Sequence, residues 1–87
     1  MPYVSENVRH LLDNGRKATI AGELNYQISK LVNDFFAMKG LSYSTINDAI
    51  GALECAKLEL YRRIASPYED KKMAANGEVY VFQEEKA

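Results

Sequence analysis

The sequence is poor in the residues that carry most catalytic and metal chemistry. Among its 87 residues it has no tryptophan, one cysteine (Cys55) and one histidine (His10). A single cysteine excludes an intramolecular disulfide framework and a cysteine-based zinc site. The five glycines stand singly along the chain, so no glycine-rich phosphate loop is present. We therefore predict that the protein is not an enzyme and uses no metal ion or cofactor.

Long apolar runs and an excess of one charge are also missing. The longest purely apolar run, residues 35–38, is far shorter than the ~20 residues of a membrane-spanning helix. Residues 1–10 lack the apolar segment of a signal peptide. Eleven Lys and Arg balance twelve Asp and Glu, whereas non-specific DNA binding requires a basic excess. These features predict a cytoplasmic protein, in the host cell if it is phage-encoded, that binds neither DNA nor a membrane.

Hydrophobic spacing predicts four helices, at about residues 5–14, 23–40, 44–65 and 66–76. The second and third each carry an apolar stripe that we expect to form the core, and the second has an opposite polar face for solvent. The stripes are Leu24, Ile28, Leu31, Val32, Phe35 and Phe36 on the second helix and Ile46, Ile50, Leu53, Leu60 and Ile64 on the third; the polar face is Glu23, Gln27, Lys30 and Asp34.

The fourth helix is predicted from the chemistry of its first residues. Ser66 can cap free backbone N–H groups, Pro67 needs no N–H donor at the first helical position, and Glu69 can reach back to the cap. After Gly77, the alternation in GEVYVFQ is typical of a β-strand, which must find a partner or else be a flexible tail. The sequence thus predicts an all-α domain of three to four helices over residues 1–80, with room for one short C-terminal strand, and a tail at residues 81–87.

The third helix also carries a strip of mainly small side chains. These would let another helix approach closely, and that helix could belong to a second copy of the chain or to the same chain. Because small domains often gain buried area by oligomerisation, we predict a homo-oligomer. The strip consists of Asp48, Gly51, Ala52, Cys55 and Glu59.

Candidate ligand contacts concentrate where the third helix ends. Arg62 and Arg63 complement the negative end of that helix, yet they also precede a predicted helix start whose free N–H groups suit an anion. Glu69 and Asp70 in the next turn count against an anion there. Lys57 is either an ion-pair partner of Glu54 or a charge at the edge of a pocket. The candidate ligand-binding residues are Tyr26, Lys57, Tyr61, Arg62, Arg63 and Tyr68.

Several segments together resemble a known family. MPYVS at the N-terminus, GELNY (22–26), IGALECAKLELYRR (50–63), SPYED (66–70) and NGEVY (76–80) are similar to segments of small bacterial and phage proteins catalogued as a domain of unknown function. VFQEEKA lies beyond the point where members of that family usually stop. The resemblance implies one compact domain and a phage or mobile-element setting, without an activity or functional residues to transfer.

Three functional hypotheses follow. The first is a non-enzymatic homo-oligomer that sequesters a nucleotide-type ligand such as an immune signal, by analogy with other small phage proteins. The second is an adaptor or inhibitor that binds a host protein through a helix face or through the VYVF strand. The third is a structural or virion-associated component that binds no small ligand.

Overall fold

The computed structural model describes residues 4–78 and residue 80. All regular structure in this part of the chain is helical, which confirms the all-α fold class. None of its helices combines the length and hydropathy that a bilayer crossing requires. The predicted strand at residues 79–82 lies outside the described residues, apart from Tyr80. The helices are α1 (Glu6–Asp13), α2 (Ala21–Lys39), α3 (Tyr43–Leu60), a π-helical turn (Tyr61–Ala65) and α4 (Ser66–Asn76).

By its internal contacts the chain divides into two units, Met1–Ile50 and Gly51–Ala87. The first contains α1, α2 and the start of α3. The second contains the remainder of α3, the π-helical turn and α4. The single domain over residues 1–80 stays a prediction.

The first helix begins as its sequence predicts. Ser5 has extended backbone angles, and its Oγ accepts a hydrogen bond of 3.3 Å from the Val8 N–H, as an N-cap does. The helix ends at Asp13, and Gly15 follows with a φ of +106°. Such a φ is open to glycine because it has no Cβ, so the chain turns here towards α2.

The connector between α1 and α2 is fixed by Glu23, which was wrongly placed on the solvent face. Its side chain is buried, with 5% of the residue exposed. The carboxylate accepts hydrogen bonds from the Thr19 N–H and from the Arg16 guanidinium, both at 3.1 Å. A buried charge is tolerated when it is paired and hydrogen-bonded. The helical pattern could not show this, because Arg16 and Thr19 lie outside the helix.

Glycine and a reciprocal cap separate α2 from α3. Gly40 follows α2 with a φ of +86° and a ψ of 154°, a backbone conformation that is open to glycine because it has no Cβ. Ser42 and Thr45 then cap α3: the Thr45 N–H donates to Ser42 Oγ at 3.1 Å, and the Ser42 N–H donates to Thr45 Oγ1 at 2.9 Å. Each side chain thus satisfies a backbone donor of the other residue.

The predicted break at Ser66 is wrong, because the helix continues through it. Ala65 and Ser66 both have helical backbone angles, and no side chain caps α4. The Ser66 N–H instead donates to the Tyr61 carbonyl, five residues back, as in a π-helix. Pro67 lacks an N–H and its ring crowds the preceding turn of a regular helix. The wider π turn accommodates it.

Most of the predicted core stripes are exposed in the single chain. In the described residues only Leu12 and Ala49 are buried hydrophobic residues. On α2, Leu24 is 52% and Leu31 is 71% exposed. The stripe residues of α3 and the π turn are Ile46, Ile50, Leu53, Leu60 and Ile64, with exposures from 39% to 63%.

Candidate functional site

The π-helical turn determines how the two tyrosines on either side of it are oriented. In a regular α-helix the seven-residue spacing from Tyr61 to Tyr68 would place both rings within about 20° of each other. A π turn contains about one extra residue, which rotates everything after it by about 100°. Both tyrosines are exposed, at 59% and 58%. They therefore lie on different faces, and one chain does not clamp a ligand between these two rings.

Two of the candidate cations are engaged in helical ion pairs. Arg63 Nε donates to Glu59 Oε1 at 2.8 Å, one turn away. Lys57 Nζ lies 3.7 Å from Glu54 Oε1, with both side chains more than half exposed. Lys57 thus has the ion-pair partner that one of its two interpretations gives it. Exposed pairs of this kind contribute only about 0.3–0.5 kcal/mol, so a ligand can displace them at low cost.

Arg62 differs from its neighbours because it makes no hydrogen bond or ion pair with any residue of the described chain. The free N–H groups expected beside it are absent, because the helix does not restart at Ser66. An anion would thus be held by the guanidinium itself and not by a helix N-terminus. Lys57 and Tyr61 lie one turn apart on the same side of the helix, whereas Arg62, the next residue after Tyr61, points about 100° further round it.

Tyr68 has a cation of its own. Lys72 Nζ lies 5.6 Å from the centroid of the Tyr68 ring, within range of a cation–π interaction. Lys72 is one helical turn further on, so this pair belongs to α4 alone. It was not foreseen, although the i, i+4 spacing of an aromatic residue and a lysine is a signal for it.

Tyr26 belongs to the first unit, where it connects two helices. Its hydroxyl donates a hydrogen bond of 2.8 Å to Asp13 Oδ1 at the end of α1. This hydrogen bond, with smaller contributions from desolvation and from the Asp13 charge, raises the pKa of Tyr26 above its ordinary value of 10.0. The hydroxyl is therefore occupied, while the ring remains partly accessible.

An open cavity of about 400 Å³ lies beside the Tyr26 ring. The sequence predicted Tyr26 as a ligand contact but none of the other residues that line this cavity. The signal available was the spacing of polar residues along α1, which places them on one side of the helix. The cavity lining carries two carboxylates, Glu6 and Asp13, and one guanidinium, Arg9. This lining therefore does not indicate whether a ligand would be an anion or a cation. The lining residues are Glu6, Asn7, Arg9, His10, Asp13 and Tyr26.

No group of three or more histidine, cysteine, aspartate or glutamate side chains within the described chain is arranged to hold a metal ion. In comparisons with known proteins, a family model described as a domain of unknown function (DUF6899) matches residues 1–79. No curated protein and no solved structure matches the chain.

Proposed function

The chain belongs to this DUF6899 family, and we propose that it is a non-enzymatic homo-oligomer that binds a small nucleotide-type ligand. The observation that carries the assembly part is the exposure of apolar helix faces. Leu31 is 71%, Met38 84% and Ile50 60% exposed. Monomeric soluble proteins rarely leave such apolar surface uncovered, whereas interacting proteins do so before they assemble.

The energetics favour self-association. Complete burial of one Leu or Ile side chain contributes about 1.5–3 kcal/mol. Covering the five half-exposed stripe residues of α3 and the π turn would contribute on the order of 4–7 kcal/mol per chain. Since both chains of a pair contribute, the total is comparable to the about 4–15 kcal/mol that association costs. The additional apolar residues of α2 tip the balance towards assembly.

The ligand class is inferred from Lys57, Tyr61 and Arg62. An exposed aromatic ring offers a base a surface to stack on, and the unpaired guanidinium of the next residue, about 100° further round the helix, can donate two hydrogen bonds to a phosphate of a ligand that follows the helix surface. Lys57 adds a second positive charge one turn away once it leaves Glu54. Tyr26 and Tyr68 are weaker candidates, because Tyr26 is bonded to Asp13 and Tyr68 faces elsewhere. Arg63 is held by Glu59.

In the cell, such a protein would bind a signalling nucleotide and so remove it from the bacterial cytoplasm. The protein would be encoded by a phage that benefits from this removal. This setting rests on the family resemblance and on the lack of catalytic residues, and it belongs to the proposal.

Native mass spectrometry of protein purified from cells tests both parts, because it reports the number of subunits and any retained small molecule. A panel of linear and cyclic nucleotides should then include one that raises the melting temperature. At a concentration of 100 Kd, linkage adds about 2.7 kcal/mol of stability. Arg62→Ala should abolish the rise, whereas Lys71→Ala, which removes another exposed cation of the same helical segment, should preserve it.

The outcomes separate the alternatives. A monomer at all concentrations would contradict the assembly. An oligomer that responds to no nucleotide would contradict the ligand and favour a protein-binding adaptor that uses the same exposed helix faces, or a structural component.

A further inference from the structure

The exposed face of α2 has the pattern of a coiled-coil seam. Its apolar residues recur with alternating spacings of four and three, which is the heptad repeat that brings two helices together. Three of them are strongly exposed: Leu24 at 52%, Leu31 at 71% and Met38 at 84%. The α2 seam consists of Leu24, Ile28, Leu31, Phe35 and Met38, all within the 19-residue helix.

The seam is free to pair because α2 uses other residues for its own unit. Tyr26 donates to Asp13 of α1, Gln27 donates to the Arg16 carbonyl, and Glu23 binds the connector. On a helical projection these residues lie beside the α2 seam or on the far side from it. The contact with α1 therefore leaves most of the seam uncovered.

Charges flanking the α2 seam indicate what covers it. Asp34 directly precedes the seam residue Phe35, and Lys39 directly follows the seam residue Met38, so the two charges border opposite edges. In a parallel pair of helices, residues at these positions, five apart in sequence, face each other across the interface. Neither Asp34 nor Lys39 makes an ion pair within the described chain. An antiparallel pair would not bring these two charges together.

We propose that the α2 seam is covered by the α2 seam of a second copy, in a parallel two-stranded coiled coil with Asp34 of each chain opposite Lys39 of the other. In the heptad, Leu24 and Leu31 occupy position d and Ile28 occupies position a. Leucine at d with isoleucine at a favours a two-stranded coiled coil. This inference rests on the proposed homo-oligomer, for which it supplies the surface, the orientation and the register.

Charge reversal tests the register in the full-length chain. Asp34→Lys places a lysine opposite Lys39 of the other chain, and Lys39→Asp places an aspartate opposite Asp34 of the other chain. Because the pair has two-fold symmetry, each change occurs twice per dimer. Each single variant should weaken the dimer by about tenfold in its dissociation constant, measured by sedimentation equilibrium. The double variant, and an equimolar mixture of the two single variants, should regain the original affinity. Lys30→Asp makes the same change of charge as Lys39→Asp away from the seam and should leave the constant unchanged.

A cross-link tests the orientation. In a Cys55→Ala background, Leu24→Cys should form an intermolecular disulfide on mild oxidation, because a parallel pair places the two residues side by side. An antiparallel pair centred on Leu31, the middle of the α2 seam, would place them about 21 Å apart along the axis. Circular dichroism confirms that each variant remains helical.

Two results would overturn the inference in different ways. A wild-type chain that stays monomeric would remove both this interface and the proposed assembly. An oligomer that is insensitive to both charge reversals and forms no Leu24→Cys cross-link would leave the assembly standing and assign it to another surface.

Discussion

The Glu23 carboxylate lies 3.1 Å from the Arg16 guanidinium and accepts a second hydrogen bond of 3.1 Å from the Thr19 N–H. One buried acid at the start of α2 thus holds both ends of the connector that follows α1. The connector has no regular structure of its own, so its path depends on these contacts.

We expect Glu23→Ala to lower the free energy of unfolding by about 2 kcal/mol, because it leaves the Thr19 N–H and Arg16 without their acceptor. Glu23→Gln should cost less, since its amide oxygen can still accept the Thr19 bond. Urea unfolding followed by circular dichroism measures both. Asp48→Ala removes an exposed acid and should change stability by less than about 0.5 kcal/mol. Equal effects of Glu23→Ala and Asp48→Ala would contradict the role of Glu23.

The bond from Tyr26 to Asp13 should make stability depend on pH in the alkaline range. Because the folded state raises the pKa of Tyr26, the contribution of this bond is complete below about pH 10 and is lost as pH rises through the folded-state pKa. The difference in melting temperature between wild type and Tyr26→Phe should therefore be constant at neutral pH and shrink at higher pH. Tyr43→Phe, at a residue that is 84% exposed, is the matched control. A difference that grows with pH would have the wrong sign.

Two serines that look alike in sequence should respond differently to alanine. Ser42 caps α3 through the Thr45 N–H, so Ser42→Ala should cost about 1 kcal/mol. Ser66 caps nothing in the described chain, so Ser66→Ala should change stability by less than about 0.5 kcal/mol. Thermal unfolding monitored by circular dichroism compares them directly. A larger loss for Ser66→Ala would show that α4 starts separately after all.

Restoring a backbone N–H donor at position 67 should replace the π-helical hydrogen bonds of this turn by regular α-helical ones. Pro67→Ala supplies an N–H and removes the ring, so the segment Tyr61–Ala65 can adopt regular α-helical bonds. We expect slower amide hydrogen exchange across α4. Met73→Ala, which changes a side chain of α4 but no backbone donor, controls for nonspecific effects. Unchanged exchange in Pro67→Ala would indicate that the π turn is held by something other than the proline.

Helix positions were largely predictable, because their signals are local. Ser5 as a cap, Gly40 as a stop and the stripe spacing each follow from residues close together in the chain. The failures at Glu23 and Ser66 have a common physical reason. A buried ion pair depends on where a connector folds, and a Ser-Pro step has the same local chemistry whether a helix starts there or widens to admit the proline.

The candidate site was less predictable than the fold. The ion pairs of Lys57 and Arg63 follow from helical spacing. That Arg62 makes no ion pair in the described chain becomes visible only in the structure, where Glu54 and Glu59 bind Lys57 and Arg63 instead. Likewise, the seven-residue spacing of Tyr61 and Tyr68 predicts that both lie on one face, and only the extra residue of the π turn places them on different faces.

The extra residue of the π turn gives one continuous helix two exposed faces where a regular helix would have one. A closed ring of identical subunits needs two different contact surfaces on each chain, one for the neighbour on either side. A regular amphipathic helix presents a single apolar face, which one partner can cover. With Tyr61 on one face and Tyr68 with Lys72 on another, the segment that follows α3 carries two separate exposed surfaces. Removing one residue from the π turn would bring Tyr61 and Tyr68 within about 20° of each other and leave the segment with a single such surface.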